Sequence, residues 1–264
     1  MSAVSTAFEK AAAEDRAALI GYLPAGFPDK DTAIRAALAM ASAGADVIEV
    51  GLPYSDPLMD GPVIADAVYR SLAGGTRIKD VFDTVEAISN AGTAAVVMTY
   101  WNPVDHYGVD AFARDLASAG GSGLITPDLT PEESGSWPQV SDAHGLDRVY
   151  LVAPSSPEAR IATITRLCRG FVYAASLMGI TGTREAVSSS AAGLVRRTRE
   201  HTTLPVAVGL GVSTPEQAAE VAAFADGVIV GSAFVRRIAS AATPADAVAA
   251  VRAFTEVLAG GVRR

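Results

Sequence analysis

Cysteine is nearly absent from this chain. Cys168 is the only one, so no internal disulfide can form, which suits a reducing compartment. Its setting, RIATITRLCRG, reads as helix, where a packed apolar thiol is expected. Histidine is scarce as well. His106, His144 and His201 stand far apart in sequence, and neither a CxxC nor an HExxH pattern occurs. Nothing in that distribution points to a metal, and no metal site is expected. Basic runs interleaved with aromatics are missing and the formal net charge is −8, which argues against a nucleic-acid partner. No apolar run approaches the roughly 20 residues that span a bilayer. The opening MSAVSTAFEKAAAEDRAA is charged and helix-like and lacks the apolar stretch of a signal peptide. A cytoplasmic location without membrane contact is the expectation.

Short apolar segments, by contrast, are plentiful in a chain that is 50% hydrophobic. Eight β-rich runs recur about every 20 to 40 residues: ALIGYLPAG, DVIEVGLP, AAVVMTYWNP, GLITPD, RVYLVAP, FVYAAS, LPVAVGLG and ADGVIVGS. They are apolar at nearly every position, as parallel strands covered on both faces are. Alanine-rich helical patterns separate them, among them 31–43, 109–119, 157–169 and 215–224. Eight alternating units predict an α/β fold, a (β/α)8 TIM barrel with an extra N-terminal helix. A doubly wound open sheet is the competing topology. No long linker or composition shift divides the chain, so residues 1–264 read as one domain.

In a barrel the chemistry sits at the C-terminal ends of the strands. Those ends are rich in glycine, proline and hydroxyl residues here. Three glycine clusters, at 179–182, 209–211 and 231–232, follow the sixth, seventh and eighth runs. They offer backbone N–H groups to an anion without an intruding Cβ, and 232–235 reads as the short extra helix of a phosphate site. Ordinary turn glycines are the plainer reading of any one cluster; three at consecutive strand ends favour phosphate.

The second run carries Glu49 in its middle. By period-two alternation Glu49 shares a face with Val47 and Gly51, pointing inward, while Ile48 takes the other face. A structural Glu–Arg ion pair is the alternative, although no cation flanks it in sequence. Burial would raise its pKa towards the range useful for proton transfer. Asp46 is expected to start the strand facing solvent. On the following loop, Asp56-Pro57 reads as a turn, and Asp60 is a candidate cap for a helix beginning near Pro62. Tyr173 lies in the sixth run, either facing the pocket or as a core tyrosine. Residues alone therefore indicate a barrel with a phosphate cup and a pocket carboxylate, acting by proton transfer on a small phosphorylated substrate.

The stretch EVGLPYSDPLMDGP resembles the active-site motif of the α subunits of tryptophan synthase. Further similarity covers GYLPAGFPD, MTYWNPVDHYGVDAF, TPDLTPEES, MGITGTR, GLGVSTPEQ and GSAFV, most of the chain. The resemblance implies cleavage of indole-3-glycerol phosphate into indole and glyceraldehyde 3-phosphate, a retro-aldol step in tryptophan biosynthesis. It implies Glu49 and Asp60 as the catalytic pair, with phosphate contacts at Gly182, Gly211, Gly231 and Ser232. Tyr22, Tyr100 and Tyr173 would line the pocket, Thr181 would lie in the mobile loop after the sixth strand, and Leu210 stands where phenylalanine is frequent. Met59 departs from a usually small residue. The loop 52–59, with Pro53 and Asp56, and the segment 100–103 are expected to form an apolar docking surface, with packing of Tyr54 and Trp101 against neighbouring helices as the alternative. By resemblance its occupant is the β subunit in an α2β2 assembly. Pyridoxal phosphate would reside in that partner, and no cofactor is expected in this chain. A free-standing lyase without a β partner, a chain that mainly activates its partner, and a sugar-phosphate epimerase are the alternatives. The epimerase is disfavoured by the lack of a His and Asp cluster at strand ends.

Overall fold

The computed structural model describes residues 2–175, 184–209 and 211–263, the side chains of 184–187 excepted. Nine parallel strand segments form one sheet: β1 (Ala18–Pro24), β2 (Val47–Gly51), β3 (Ala94–Met98), β4 (Gly123–Ile125), β5 (Asp147–Val149), β6 (Leu151–Val152), β7 (Val172–Ala175), β8 (Val206–Gly209) and β9 (Gly227–Val230). Their order is β5-β4-β3-β2-β1-β9-β8-β7-β6. The two ends of that order are the halves of one run, interrupted only at Tyr150. Because β5 pairs with β4 and β6 pairs with β7, the sheet returns on itself as a barrel. The expected eight runs are thus present, the fifth split in two, and the open sheet is excluded because β5 and β6, the two ends of the order, are one continuous run.

Helices lie close to their predicted places: Lys30–Ser42, Val109–Ser118, Glu158–Leu167 and Pro215–Ala222. Cys168 sits just past the end of Glu158–Leu167, fully buried, and burial pushes its thiol up to about 12. It is the packed apolar thiol that its setting suggested.

Side-chain alternation divides the core into two shells. Val47 belongs to an inner cluster with Ile20, Val96, Ile125 and Ile229, whereas Ile48 and Val50 join the outer cluster under the helices. Glu49 shares Val47's parity, so it faces the barrel interior. The N-terminal helix Ala3–Ala13 adds Val4, Phe8 and Ala11 to the inner cluster, and the Phe8 ring lies 5.4 Å from that of Phe171. This helix plugs the N-terminal mouth and leaves the other mouth for the site. Ser2 caps it and also donates to the buried Asp147 at 2.5 Å.

Asp46 differs from expectation. Its side chain is 8% exposed and takes both guanidinium N–H groups of Arg16, at 2.6 and 2.8 Å, plus the Leu19 N–H at 2.8 Å. A charged group at the first position of a barrel strand meets the neighbouring strand rather than water, and here the cation 30 residues upstream satisfies it. Arg16 thereby ties the chain entering β1 to the start of β2.

If Phe8 closes the barrel floor, Phe8→Ala should cost about 3–5 kcal/mol, read as a lower urea midpoint. A loss within about 0.5 kcal/mol, the usual range for surface positions, would show the helix to be a peripheral addition.

Candidate active site

Glu49 stands in the middle of β2, between Tyr22 of β1 and Val96 of β3 in the ladder register. It is 1% exposed, and its Oε2 has no hydrogen-bond partner among the described residues. The ion-pair alternative therefore finds no support: no arginine or lysine is bonded to it in the described structure. Desolvation, with a smaller contribution from the charge of Asp60, pushes its pKa up to about 8. A carboxyl group in such a setting holds its proton near neutral pH and can lend it to a substrate.

Asp60 approaches from the loop after β2 and is half-buried. It does not cap the following helix. Pro62–Ala73 begins where proline predicted, but its cap is Gly61, without a side-chain bond. The Asp60 carboxyl is raised by burial, and the Tyr100 hydroxyl, donating to Oδ1 at 3.3 Å, works against that rise. The same hydroxyl accepts the Met59 N–H at 2.9 Å. Tyr100 thus holds two consecutive residues of the loop at once.

Tyr22 and Tyr173 are buried or nearly so, and burial lifts both phenols well above their ordinary range. They remain neutral and serve as walls, not bases. Tyr22 feels the charges of both Asp60 and Glu49, and Tyr173 that of Glu49, so residues drawn from three separate runs converge on one place. Two glycines make room for these rings. A Cβ on Gly51 would lie 2.4 Å from the Tyr22 hydroxyl oxygen, and one on Gly209 would lie 2.5 Å from that of Tyr173.

Gly231 caps the helix Ser232–Ala239, the short extra helix expected after the last strand. With no side chain to cap it, the first N–H groups of that helix are left for a ligand. A Cβ placed on Gly231 would sit 3.4 Å from the Tyr22 ring, which puts this helix end beside Tyr22. Gly211 is exposed and holds a φ of +65°, a conformation that side chains beyond glycine resist. Thr181, Gly182 and Leu210 lie outside the described residues.

The loop after β2 is divided in its exposure. Pro53 is buried, so it shapes the loop and presents no surface of its own, contrary to its expected part in a docking face. Asp56 is exposed and takes the Ser55 hydroxyl at 2.5 Å. Leu58 is 84% exposed and Met59 36%. Tyr54 packs toward Tyr100, ring centroids 5.5 Å apart. Trp101 is half-buried against Trp137 at 6.0 Å, so it adds core more than docking area.

One residue of this neighbourhood went unread in the sequence. Asp128, in the loop after β4, accepts the Trp101 N–H with both carboxylate oxygens, at 3.0 and 3.1 Å. It anchors the start of the helix Trp101–Tyr107 and with it the adjoining Tyr100. An aspartate placed just beyond a strand in TPDLTP was the available signal, but its partner lies 27 residues away.

Between the ordinary carboxyl pKa of 4.5 and about 8, folded protein keeps on Glu49 a proton that unfolded chain has released. The stabilisation is complete below that window and is lost as pH rises through it. Glu49→Gln, which has no proton to lose, should melt at a higher temperature than the parent at pH about 9, and the gap should close towards pH about 5. Melting curves that stay parallel across this range would mean that Glu49 is not held as a buried acid.

Comparisons with known proteins agree with this geometry. The model of the family described as tryptophan synthase alpha chain matches residues 8–262. The chain is similar to the tryptophan synthase alpha chain of Acidothermus cellulolyticus, 58% identical over 264 residues, covering 100% of this chain and 98% of that one. It is also similar to that of Mycobacteroides abscessus, 60% identical over 257 residues, covering 97% and 96%. Among solved structures, a tryptophan synthase chain of Mycobacterium tuberculosis superposes with a TM-score of 0.92 at 54% identity, covering 100% and 99%. The tryptophan synthase subunit alpha of Legionella pneumophila superposes with a TM-score of 0.91 at 33% identity, covering 99% and 98%. A buried acid facing the interior of a closed barrel, a second carboxylate at its mouth and these full-length likenesses agree: the chain belongs to the tryptophan synthase alpha chain family, the lyases that cleave indole-3-glycerol phosphate.

Proposed function

We propose that Glu49 and Asp60 divide the proton work of this cleavage. The single observation that carries the reading is the buried carboxyl of Glu49, its Oε2 unpartnered among the described residues, whose pKa of about 8 keeps it protonated at neutral pH. Protonated Glu49 delivers its proton to indole C3, turning the ring into an electron-poor indolenine. Asp60, ionised and steadied by Tyr100, accepts a hydrogen bond from the ring N1–H and stabilises the positive charge that develops there. The Glu49 carboxylate then takes the proton of the C3′ hydroxyl. As the carbonyl forms, the C3–C3′ bond breaks and its electron pair returns to the ring. Indole and glyceraldehyde 3-phosphate leave, and Glu49 is protonated again.

In this reading Tyr22, Tyr100, Tyr173 and Leu210 surround the indole. Gly182, Gly211, Gly231 and Ser232 bind the phosphate, and Thr181 belongs to the loop that closes over the site. The whole chain acts as one barrel domain in the cytoplasm, with no metal and no cofactor of its own. Its partner is the β subunit, in an α2β2 assembly with pyridoxal phosphate on the β side. Asp56 and the exposed Leu58 and Met59 support a docking face on the same loop as Asp60. Because the Met59 N–H and the Asp60 carboxylate share the Tyr100 hydroxyl, contact made on that face reaches the site directly. Docking then raises turnover by favouring the working arrangement of Asp60, without adding a catalytic group. The free-standing lyase is not favoured by the family relationship.

Steady-state cleavage of indole-3-glycerol phosphate tests both parts. Glu49→Gln and Asp60→Asn should each lower kcat by at least about 10²-fold with the fold intact, the scale of a positioned acid–base group. Added β subunit should raise kcat of the parent chain. Near-parental turnover in Glu49→Gln would remove the shuttle, and a rate indifferent to saturating β subunit would favour the free-standing enzyme.

A further inference from the structure

The mouth of this barrel is acidic, yet the substrate read for it carries a phosphate dianion. Asp56 and Asp60 sit on the loop after its second strand, and the chain as a whole is at −8. Backbone N–H groups at Gly231 and Ser232 supply partial charges but no net positive charge. A cation is nevertheless close. Arg236 lies one turn into the helix Ser232–Ala239, exposed, and its Nη1 donates to Ser232 Oγ at 3.3 Å. No carboxylate pairs with Arg236 among the described residues. Asp246, which shares its surface groove, is occupied by the Thr243 hydroxyl at 2.7 Å. The adjacent Arg237 is directed elsewhere, over the Phe254 ring at 3.3 Å and onto the Ala233 carbonyl at 2.8 Å.

We infer that Arg236 is a positioning residue for the phosphate of the substrate, acting through Ser232. A hydroxyl has one proton to donate and lone pairs to accept with. When the guanidinium occupies a lone pair of Ser232 Oγ, the hydroxyl proton is turned away from Arg236 and toward the helix N-terminus, where an anion would sit. The guanidinium also polarises that O–H and places a positive charge, bonded to no carboxylate among the described residues, one helical turn from the end of the helix that would meet the anion. The charge draws the incoming dianion, and the oriented hydroxyl holds it.

This inference rests on the phosphate-site reading, and its test separates the two. Binding of glycerol 3-phosphate by calorimetry reports on the anion site whether or not cleavage occurs; cleavage of indole-3-glycerol phosphate by the parent chain reports on the function. In Arg236→Gln the dissociation constant for glycerol 3-phosphate and the KM for substrate should both rise about three- to tenfold, with kcat changed by less than about twofold. The difference from the parent should shrink as ionic strength goes from about 20 to about 300 mM. Arg236→Lys should recover the charge-dependent part. Arg237→Gln removes the same charge from the same helix and should leave KM in place. In Ser232→Ala, Arg236→Gln should have a smaller effect than in the parent, since the hydroxyl it orients is gone. Equal affinities for parent and Arg236→Gln at low salt, or equal losses in the Ser232→Ala and parent backgrounds, would overturn the inference. So would an Arg237→Gln effect as large as that of Arg236→Gln.

Discussion

An ionisable carboxyl is sealed inside this barrel with no counter-charge bonded to it among the described residues, and the rest of the site is arranged around that fact. Glu49 is almost wholly shielded from water, with Oε2 unpartnered among the described residues. Leaving such a group ionised costs free energy that the proton removes. Folding therefore makes Glu49 an acid at neutral pH, and a cation beside it would have cancelled the effect. The absence of a bonded cation around it among the described residues comes at some expense of stability in neutral and alkaline solution.

Several parts of the scaffold serve this arrangement. The N-terminal helix fills the far mouth with Phe8 and its neighbours, so the interior below Glu49 is packed and dry. Tyr22 and Tyr173 complete the walls as neutral rings, and glycines on β2 and β8 leave them space. Charged side chains inside the lower strand ends are satisfied separately: Arg16 takes Asp46, and Ser2 takes Asp147. Asp60 is treated differently. Its place at the mouth leaves it partly solvated, and Tyr100 offers it a proton donor. Two carboxyl groups close enough to feel one another thereby sit in different surroundings, one sealed in the barrel and one at its mouth with a hydroxyl donor.

Much of this was legible in the amino-acid order. Strand and helix alternation is a local pattern, and the period-two reading that turned Glu49 inward needed only Val47, Ile48 and Gly51 for reference. The glycine clusters and the helix after the last strand were visible for the same reason. What escaped reading depended on partners distant in sequence. Asp46 looked solvent-facing because Arg16 lies 30 residues before it. Asp128 looked like a loop residue because the N–H it anchors belongs to another strand's loop. Asp60 looked like a cap because aspartate before proline so often is one, whereas Gly61 takes that place and frees the carboxylate. Pro53 and Trp101 were expected on the docking face, yet Pro53 is buried and Trp101 half-buried against the core. Barrel closure through a strand split at Tyr150 was likewise beyond a local pattern.

The protonation state of Glu49 is the point on which the chemistry turns, and it can be read directly. Carbon-13 labelling of the glutamate side-chain carboxyls, with Glu49→Gln used to assign the resonance, allows the group to be titrated by NMR in the folded protein. A chemical-shift midpoint near 8, far above the other glutamates, is the expected result. A midpoint near the ordinary 4.5 would show that Glu49 is a carboxylate at neutral pH, and would contradict its role as the acid that protonates the indole ring.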